Sequence, residues 1–310
     1  MQKILTITLL IFLSIGLAFC VIGDEVPEDH PTATSYTNTI ATPHIPNELT
    51  FGGENVPLDI YWVRENLERE VITQCYLHSR TLLIFKRSGR YFPIIEKILA
   101  EEGVPDDLKY LCLAESGLEN VVSPAKAAGF WQFIETTGKN YGLEINSNVD
   151  ERYHLEKSTR AACVYLKKLK ERFGSWSLAA AAYNMGEGGL SRSISTQNCN
   201  QYYDLWLNTE TARYVYRILA FKLLFENPEK YGIKISPEEY YMPIPCKEKI
   251  IKSGISNLTE FAAQNGILYR EIKFLNPWLR STTLPANGKS YTLLLPEKSK
   301  AKYYELYKKN

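Results

Sequence analysis

From Val56 to about Ile235 apolar residues recur at helical spacing, and no alternation of apolar and polar residues reaches strand length. That pattern confines the larger part of the chain to an all-helical domain of ordinary size, placed at residues 56–236. Tyr61 to Leu77 reads as one long helix, and Phe92 to Glu101 as another opened by Pro93, whose fixed φ and missing N–H suit a first turn. Leu155, Thr159, Ala162, Leu166, Leu169 and Phe173 share a stripe that Gly174 closes. Ser175 is placed to cap a helix from Trp176 to Asn184 that Gly186 stops, and its Ala179–Ala182 run lets a neighbouring helix approach closely. Thr209 is placed to cap a last helix with Tyr214, Ile218, Phe221 and Phe225 on one side.

After Pro237 the pattern changes, and Pro243 and Pro245 mark a linker. Residues 245–297 then read as a short strand at Lys249–Ile251, a helix from Asn257, a turn at Asn265-Gly266, a second short helix ended by Asn276-Pro277, and a strand from Tyr291 to Leu295. The expectation is a mainly α protein with a small βααβ module behind its helical domain. The Lys-rich residues 298–310 read as a basic tail, a solvated helix or frayed end.

At the other end, Lys3 and the apolar run from Ile4 to Phe19 read as a secretory signal over residues 1–19. Gly16 and Ala18 offer small residues for cleavage after Ala18. Leu17-Ala18-Phe19-Cys20 also resembles a lipobox, with Phe19 where a small residue belongs, so lipidation of Cys20 stands as a second reading and an uncleaved anchor as a third. All three export the chain, to the periplasm, with a lipid anchor in the outer membrane if Cys20 is acylated. Residues 20–55, rich in Pro, Thr, Ser, Asn and Gly, read as a flexible tether.

The net charge of +1 gives no case for a nucleic acid partner. Six cysteines form no CxxC pair and no metal-ligand spacing with the four histidines, so neither a metal nor an organic cofactor is expected. Cys112 and Cys163 fall in apolar helical patterns and read as buried thiols.

One ionisable group stands out. Glu115 follows Leu111-Cys112-Leu113-Ala114 and precedes Ser116-Gly117, in what reads as the last turn of a buried helix. Pro105, Asp106 and Asp107 suit the start of that helix. A carboxylate at its far end is desolvated and meets the negative end of the helix dipole. Both effects raise its pKa, as a general acid working near neutral pH requires.

Four blocks follow in order: Glu115-Ser116-Gly117; Ser123-Pro124-Ala125-Lys126-Ala127-Ala128-Gly129-Phe130-Trp131-Gln132-Phe133; Ala182-Tyr183-Asn184-Met185-Gly186-Glu187-Gly188; and Glu210-Thr211-Ala212-Arg213-Tyr214-Val215. Together they resemble the lysozyme-like domain of soluble-type lytic transglycosylases, with the membrane-bound D type the nearest kind. Arg87-Ser88-Gly89-Arg90-Tyr91-Phe92-Pro93 also resembles that type, and the segments Asp150-Glu151-Arg152 and Glu156-Lys157-Ser158-Thr159 fit a helix bracing the groove. Trp131 stands where Met is common, and Met185 where Ala is common.

The resemblance implies a peptidoglycan lytic transglycosylase, with Glu115 as sole catalytic acid and base. Glu115 would protonate the oxygen between N-acetylmuramic acid and N-acetylglucosamine, the N-acetyl carbonyl would stabilise the cationic centre, and Glu115 would then deprotonate the muramoyl 6-hydroxyl. The product would be a 1,6-anhydromuramic acid end. Ser123, Gln132, Tyr183, Asn184 and Tyr214 are the implied substrate-binding residues, Tyr214 touching either the sugar or Glu115. Each has a purely structural alternative: turn or cap bonding for Ser123 and Gln132, a buried helix-end bond for Tyr183 and Asn184, a core position for Tyr214. Trp131 either stacks on sugar or fills core.

Most glycosidases use two carboxylates. Glu119, Glu135 and Glu187 lie near the blocks but read as solvated surface groups. Trp176 and Trp206 read as core, and His78 and His154 as surface or capping residues. A goose-type lysozyme-like hydrolase of the same fold, and a non-catalytic peptidoglycan-binding protein, remain as alternatives. Leu275-Asn276-Pro277 and the ending Tyr291 to Pro296 resemble a LysM-type glycan-binding module, with a small ligand-free packing domain as its alternative.

Overall fold

The structure, a computed structural model, describes residues 41–306. The expected signal segment, Cys20 and most of the expected tether lie outside the described residues.

Eight helices make the larger domain: α1 (Tyr61–Tyr76), α2 (His78–Glu101), α3 (Lys109–Ser116), α4 (Glu135–Asn140), α5 (Leu155–Phe173), α6 (Trp176–Met185), α7 (Glu187–Gln197) and α8 (Thr209–Glu226). The short α3 is the centre of the core. Its residues from Lys109 to Ala114 are all buried, with α2 and α8 packed against it. Ala179, Ala180, Ala181 and Ala182 are fully buried, so α6 lies close to α5 and α8 as the alanine run predicts. Ser175 caps α6 by accepting from the Leu178 N–H. On α8 the cap is Asn208 rather than Thr209: its side chain accepts from the Thr211 N–H.

Two expectations are corrected here. Pro93 does not open a helix but lies inside α2. An internal proline removes one hydrogen bond and crowds the carbonyl of Gly89. Burial of Phe85, Phe92, Ile95 and Leu99 on the same helix outweighs that cost. The end of the expected tether is also folded. Ile45, Leu49 and Phe51 are buried in the core, and the strands β1 (Thr50–Phe51) and β2 (Glu54–Asn55) pair antiparallel. Lys222 Nζ on α8 explains the docking: it donates to the Thr50 carbonyl and to Asp107, each at 2.8 Å, while Asp107 also accepts from the Gly52 N–H at 2.8 Å. Asp107 therefore joins the hairpin, α8 and the entry to α3.

The second part is built on β3 (Cys246–Ile251) and β4 (Tyr291–Pro296), paired antiparallel in register from Cys246 opposite Pro296 to Ile251 opposite Tyr291. Between them lie α9 (Leu258–Gln264) and α10 (Tyr269–Leu275), giving the expected βααβ order. Asn257 caps α9. Asn276, fully buried, donates to the Leu294 carbonyl and accepts from its N–H, each at 2.8 Å, and so fixes the end of α10 on β4. A four-residue helix, α11 (Tyr303–Leu306), lies in the tail.

This part is docked on the helical domain, not strung from it. One hydrophobic cluster contains Ala128, Val149 and Tyr153 of the helical domain together with Ile251, Leu258, Trp278, Leu279 and Leu293. The backbone joins across the boundary, with Asp150 N–H donating to the Trp278 carbonyl at 2.9 Å and Arg280 N–H to the Asn148 carbonyl at 2.8 Å. Among the described residues, those from Thr42 onward form one compact unit. Among the described residues no helix is long and apolar enough to cross a membrane.

Candidate active site

Helix α3 ends where the sequence predicts. Gly117 takes a left-handed conformation, φ 61°, and its N–H closes on the Leu113 carbonyl at 2.8 Å. This stop leaves Glu115 in the last turn, partly open to solvent above a buried floor that includes Cys112. Burial pushes the Glu115 pKa up from its ordinary 4.5 to about 7. A hydrogen bond from Tyr214 and the nearby Arg217 charge pull the other way, and Glu210 adds a smaller push upward.

Tyr214 is buried on α8, and its hydroxyl donates to Glu115 Oε1. The contact with the carboxyl is one of the two expected of it. Arg217 sits one turn further along α8, donates to Glu210 at 3.0 Å, and lies 3.8 Å from the buried Glu70 of α1. Arg217 is absent from the residues that the sequence motifs single out. Its spacing of three from Tyr214, on the same helix face, is the signal that could have found it.

The segment after α3 folds back as a tight loop over residues 121–133. Ser123 spends its hydrogen bonds within that loop: its Oγ accepts from the Ala127 N–H at 3.1 Å, and its own N–H donates to the Ala127 carbonyl at 2.9 Å. Gln132 has a positive φ of 48°. Its Nε2 donates to the Gly129 carbonyl at 2.7 Å and the Val121 carbonyl at 3.0 Å, which closes the loop on itself. Tyr183 on α6 donates its hydroxyl to the Trp131 carbonyl at 2.7 Å, and Asn184 Oδ1 accepts from Thr211 of α8 at 2.8 Å. Tyr183 therefore ties the loop to α6, and Asn184 ties α6 to α8. Of the five, Tyr214 is the one hydrogen-bonded to Glu115; Ser123, Gln132 and Tyr183 hold the surrounding backbone, and Asn184 holds the Thr211 side chain.

Trp131 is core: it is fully buried, and its Nε1–H donates to Thr159 Oγ1 at 2.8 Å. Trp176 is half-buried against the core, but Trp206 is 89% exposed, contrary to the core reading. Trp206 belongs to the irregular stretch before α8, where its backbone is held by Gln197 and its ring has no core to enter. Arg152, in the expected bracing segment, ties Asp150 to the carbonyls of Lys126 and Phe133 at 3.0 and 3.2 Å. His154 stands at the start of α5, but its ring stacks on Trp278 and burial lowers its pKa to about 4.

The other carboxylates are engaged elsewhere. Glu119 pairs with Arg87, Glu135 with Lys139, and Glu187 with Arg172. Cys112 and Cys163 are buried free thiols. Among the described residues no three His, Cys, Asp or Glu side chains gather to hold a metal ion.

The site is thus a carboxyl raised by burial at the end of a helix in an all-helical domain, hydrogen-bonded by a tyrosine. Residues 92–205 match the family model described as Transglycosylase SLT domain, and residues 247–299 match that of the Soluble lytic transglycosylase C-terminal LysM-like domain. The chain thus carries an SLT domain followed by a LysM-like domain. It is 31% identical over 242 residues to Membrane-bound lytic murein transglycosylase D of Escherichia coli (strain K12), a match covering 76% of this chain and 52% of that protein. The same figures hold for the protein of that name from Escherichia coli O6:H1. The chain therefore spans about half the length of these relatives. It is also similar to the X-ray structure of an inactive mutant of lytic transglycosylase Slt from Pseudomonas aeruginosa, at 16% identity and a TM-score of 0.38, over 58% of this chain and 35% of that one.

Proposed function

We propose that this protein is an exported peptidoglycan lytic transglycosylase that cleaves the β-1,4 bond between N-acetylmuramic acid and N-acetylglucosamine and leaves 1,6-anhydromuramic acid ends. The observation that carries this reading is the placement of Glu115 in the last turn of a buried helix with the Tyr214 hydroxyl on its Oε1, a setting in which burial raises its pKa to about 7. A group poised there is protonated often enough to give a proton to the leaving oxygen, and ionised often enough to take one back. In the first step Glu115 donates to the glycosidic oxygen as the C–O bond breaks. The substrate's N-acetyl carbonyl stabilises the oxocarbenium-like centre. In the second, Glu115 accepts the proton of the muramoyl 6-hydroxyl as that oxygen bonds to the anomeric carbon. No water is consumed, and the carboxyl returns to its starting state.

The choice of intramolecular transfer over hydrolysis rests on the carboxylates. An inverting hydrolase needs a second carboxylate to activate water, and a retaining one needs a carboxylate nucleophile. Glu210 is the carboxylate whose charge is felt at Glu115, and it is exposed and paired with Arg217. Ser123, Gln132, Tyr183 and Asn184 are assigned to the groove walls, the first three through the backbone they fix and Asn184 through its tie to Thr211. The LysM-like domain is assigned to glycan binding, and Cys20 to lipid attachment at the outer membrane. The test is release of soluble fragments from purified peptidoglycan by the purified chain. Glu115→Gln, which keeps the shape and removes the proton, should abolish it; full release by that variant would contradict the assignment.

A further inference from the structure

The loop over residues 121–133 is held by two different parts of the molecule. Toward the acid, Cys112 Sγ of α3 donates to the Phe130 carbonyl at 3.4 Å, and the Tyr183 hydroxyl of α6 donates to the Trp131 carbonyl at 2.7 Å. Cys112 lies three residues before Glu115 on the same helix, so a shift of the loop is a shift against the helix that carries the acid. Elsewhere the loop rests on the turn at residues 148–153. Arg152 Nη1 donates to the Lys126 and Phe133 carbonyls at 3.0 and 3.2 Å, one on each limb of the loop. Its Nε and Nη2 donate to the Asp150 carboxylate at 3.0 and 2.7 Å. Both residues are buried, and a forked pair of this kind fixes the orientation of the guanidinium.

The turn in its own right is held by the LysM-like domain. Val149 and Leu279 form an antiparallel bridge, flanked by the Asp150 N–H on the Trp278 carbonyl and the Arg280 N–H on the Asn148 carbonyl. Trp278 is buried, and its ring stacks with those of His154 and Tyr291, each centroid 5.8 Å away. The Arg280 guanidinium lies over the Tyr153 ring. Ala128, fully buried within the loop itself, packs in the same cluster as Val149, Trp278 and Leu279. Affinity for glycan depends on none of these contacts, whereas the geometry of the loop depends on all of them. We propose that the edge of the LysM-like domain formed by Trp278, Leu279 and Arg280 positions the catalytic loop, acting through the 148–153 turn and Arg152. This rests on the peptidoglycan-cleaving reading and gives the domain a task in the reaction besides holding the strand. Trp278 and Arg280 are positioning residues, since they act through the turn and not on the reacting atoms.

The test compares the full chain with Trp278→Ala, Trp278→Phe and Arg280→Ala on soluble peptidoglycan strands, each below its unfolding transition. In Trp278→Ala kcat should fall about tenfold to a hundredfold, the scale on which a misplacement of about 1 Å costs rate, with KM changed by less than about twofold. Trp278→Phe, which keeps a flat ring in the stack, should restore most of the loss. Arg280 is exposed, so Arg280→Ala spares the core, and there kcat should fall about threefold. Hydrogen exchange separates positioning from a general loss of stability. The Ala128 and Gly129 N–H groups, bonded to the Phe133 and Val121 carbonyls, should exchange about tenfold faster in Trp278→Ala, and those of α8 at the unaltered rate. A change confined to KM, a kcat that stays put, or exchange that rises no more in the loop than in α8 overturns the proposal. Should Trp278→Ala fail to fold, Arg280→Ala decides: a lower kcat at constant KM sustains the proposal and an unchanged kcat overturns it. If the unaltered chain cleaves no strand, the cleavage reading fails, and the exchange of the loop amides judges the positioning by itself.

Discussion

Glu115 is governed by a contest between burial, which raises its pKa, and the Tyr214 hydrogen bond, which lowers it by favouring the ionised form. Removing the hydroxyl leaves burial less opposed. In Tyr214→Phe the pKa should therefore rise further above 7, by about half to one unit for one lost hydrogen bond. Since proton donation needs the neutral carboxyl, activity falls as pH rises through this pKa. The falling limb of kcat/KM should accordingly move to higher pH in the variant; a limb that stays in place or moves lower would show that the bond does not tune the acid. The buried setting of Glu115 was legible in the sequence, because a carboxyl in the last turn of an apolar helical run is desolvated when that helix packs. Its regulators were less so. Arg217 and Glu210 reach Glu115 through folding of α8 onto α3, a long-range contact that spacing within one helix does not announce.

Among the elements, the loop over 121–133 shows what a sequence motif conceals. Its residues suggest sugar ligands, yet Ser123 and Gln132 make their visible bonds to their own loop. The side chains shape the wall by fixing backbone, and Gln132 holds a positive φ to do so. Gly129 is the tightest point. It has φ 81°, and a Cβ there would lie 1.9 Å from the Arg152 carbonyl oxygen. Gly129→Ala should destabilise the protein by about 2–4 kcal/mol through backbone displacement and an unfavourable φ, measurable by denaturant unfolding. An unchanged midpoint would mean that the loop and the 150–153 turn are not in this contact. The helices were mostly legible because their stripes are buried as written. Pro93 and the β1–β2 hairpin were not. In the first case packing overrode a local start signal; in the second, Ile45, Leu49 and Phe51 are too few to stand out until Lys222 and Asp107 draw them in.

On the scale of the whole molecule, the LysM-like domain packs against the helical domain although Pro243 and Pro245 mark a linker between them. Its order of elements was legible, since Asn257, Asn265-Gly266 and Asn276-Pro277 punctuate it. Its docking was not, because Trp278 and Leu279 read as ordinary core of a small domain until Val149 and Tyr153 are found against them. Tyr291 and Lys289 extend the junction by bonding Glu144 at 3.1 and 2.9 Å, and the Arg280 guanidinium lies 4.2 Å from the Tyr153 ring centroid. Such a shared core predicts one cooperative thermal transition for the chain, and a lower melting temperature for the helical domain once residues 240–310 are deleted. Two separate transitions, with the helical domain unmoved by the deletion, would argue for an independent module. Intramolecular transfer and hydrolysis differ in where the 6-hydroxyl goes after the bond breaks. Mass spectrometry of the muropeptides released from purified peptidoglycan decides this most directly. Anhydro ends, about 18 Da lighter than reducing ends and absent with Glu115→Gln, are the predicted result; reducing ends from the unaltered chain would contradict it and make the protein a hydrolase.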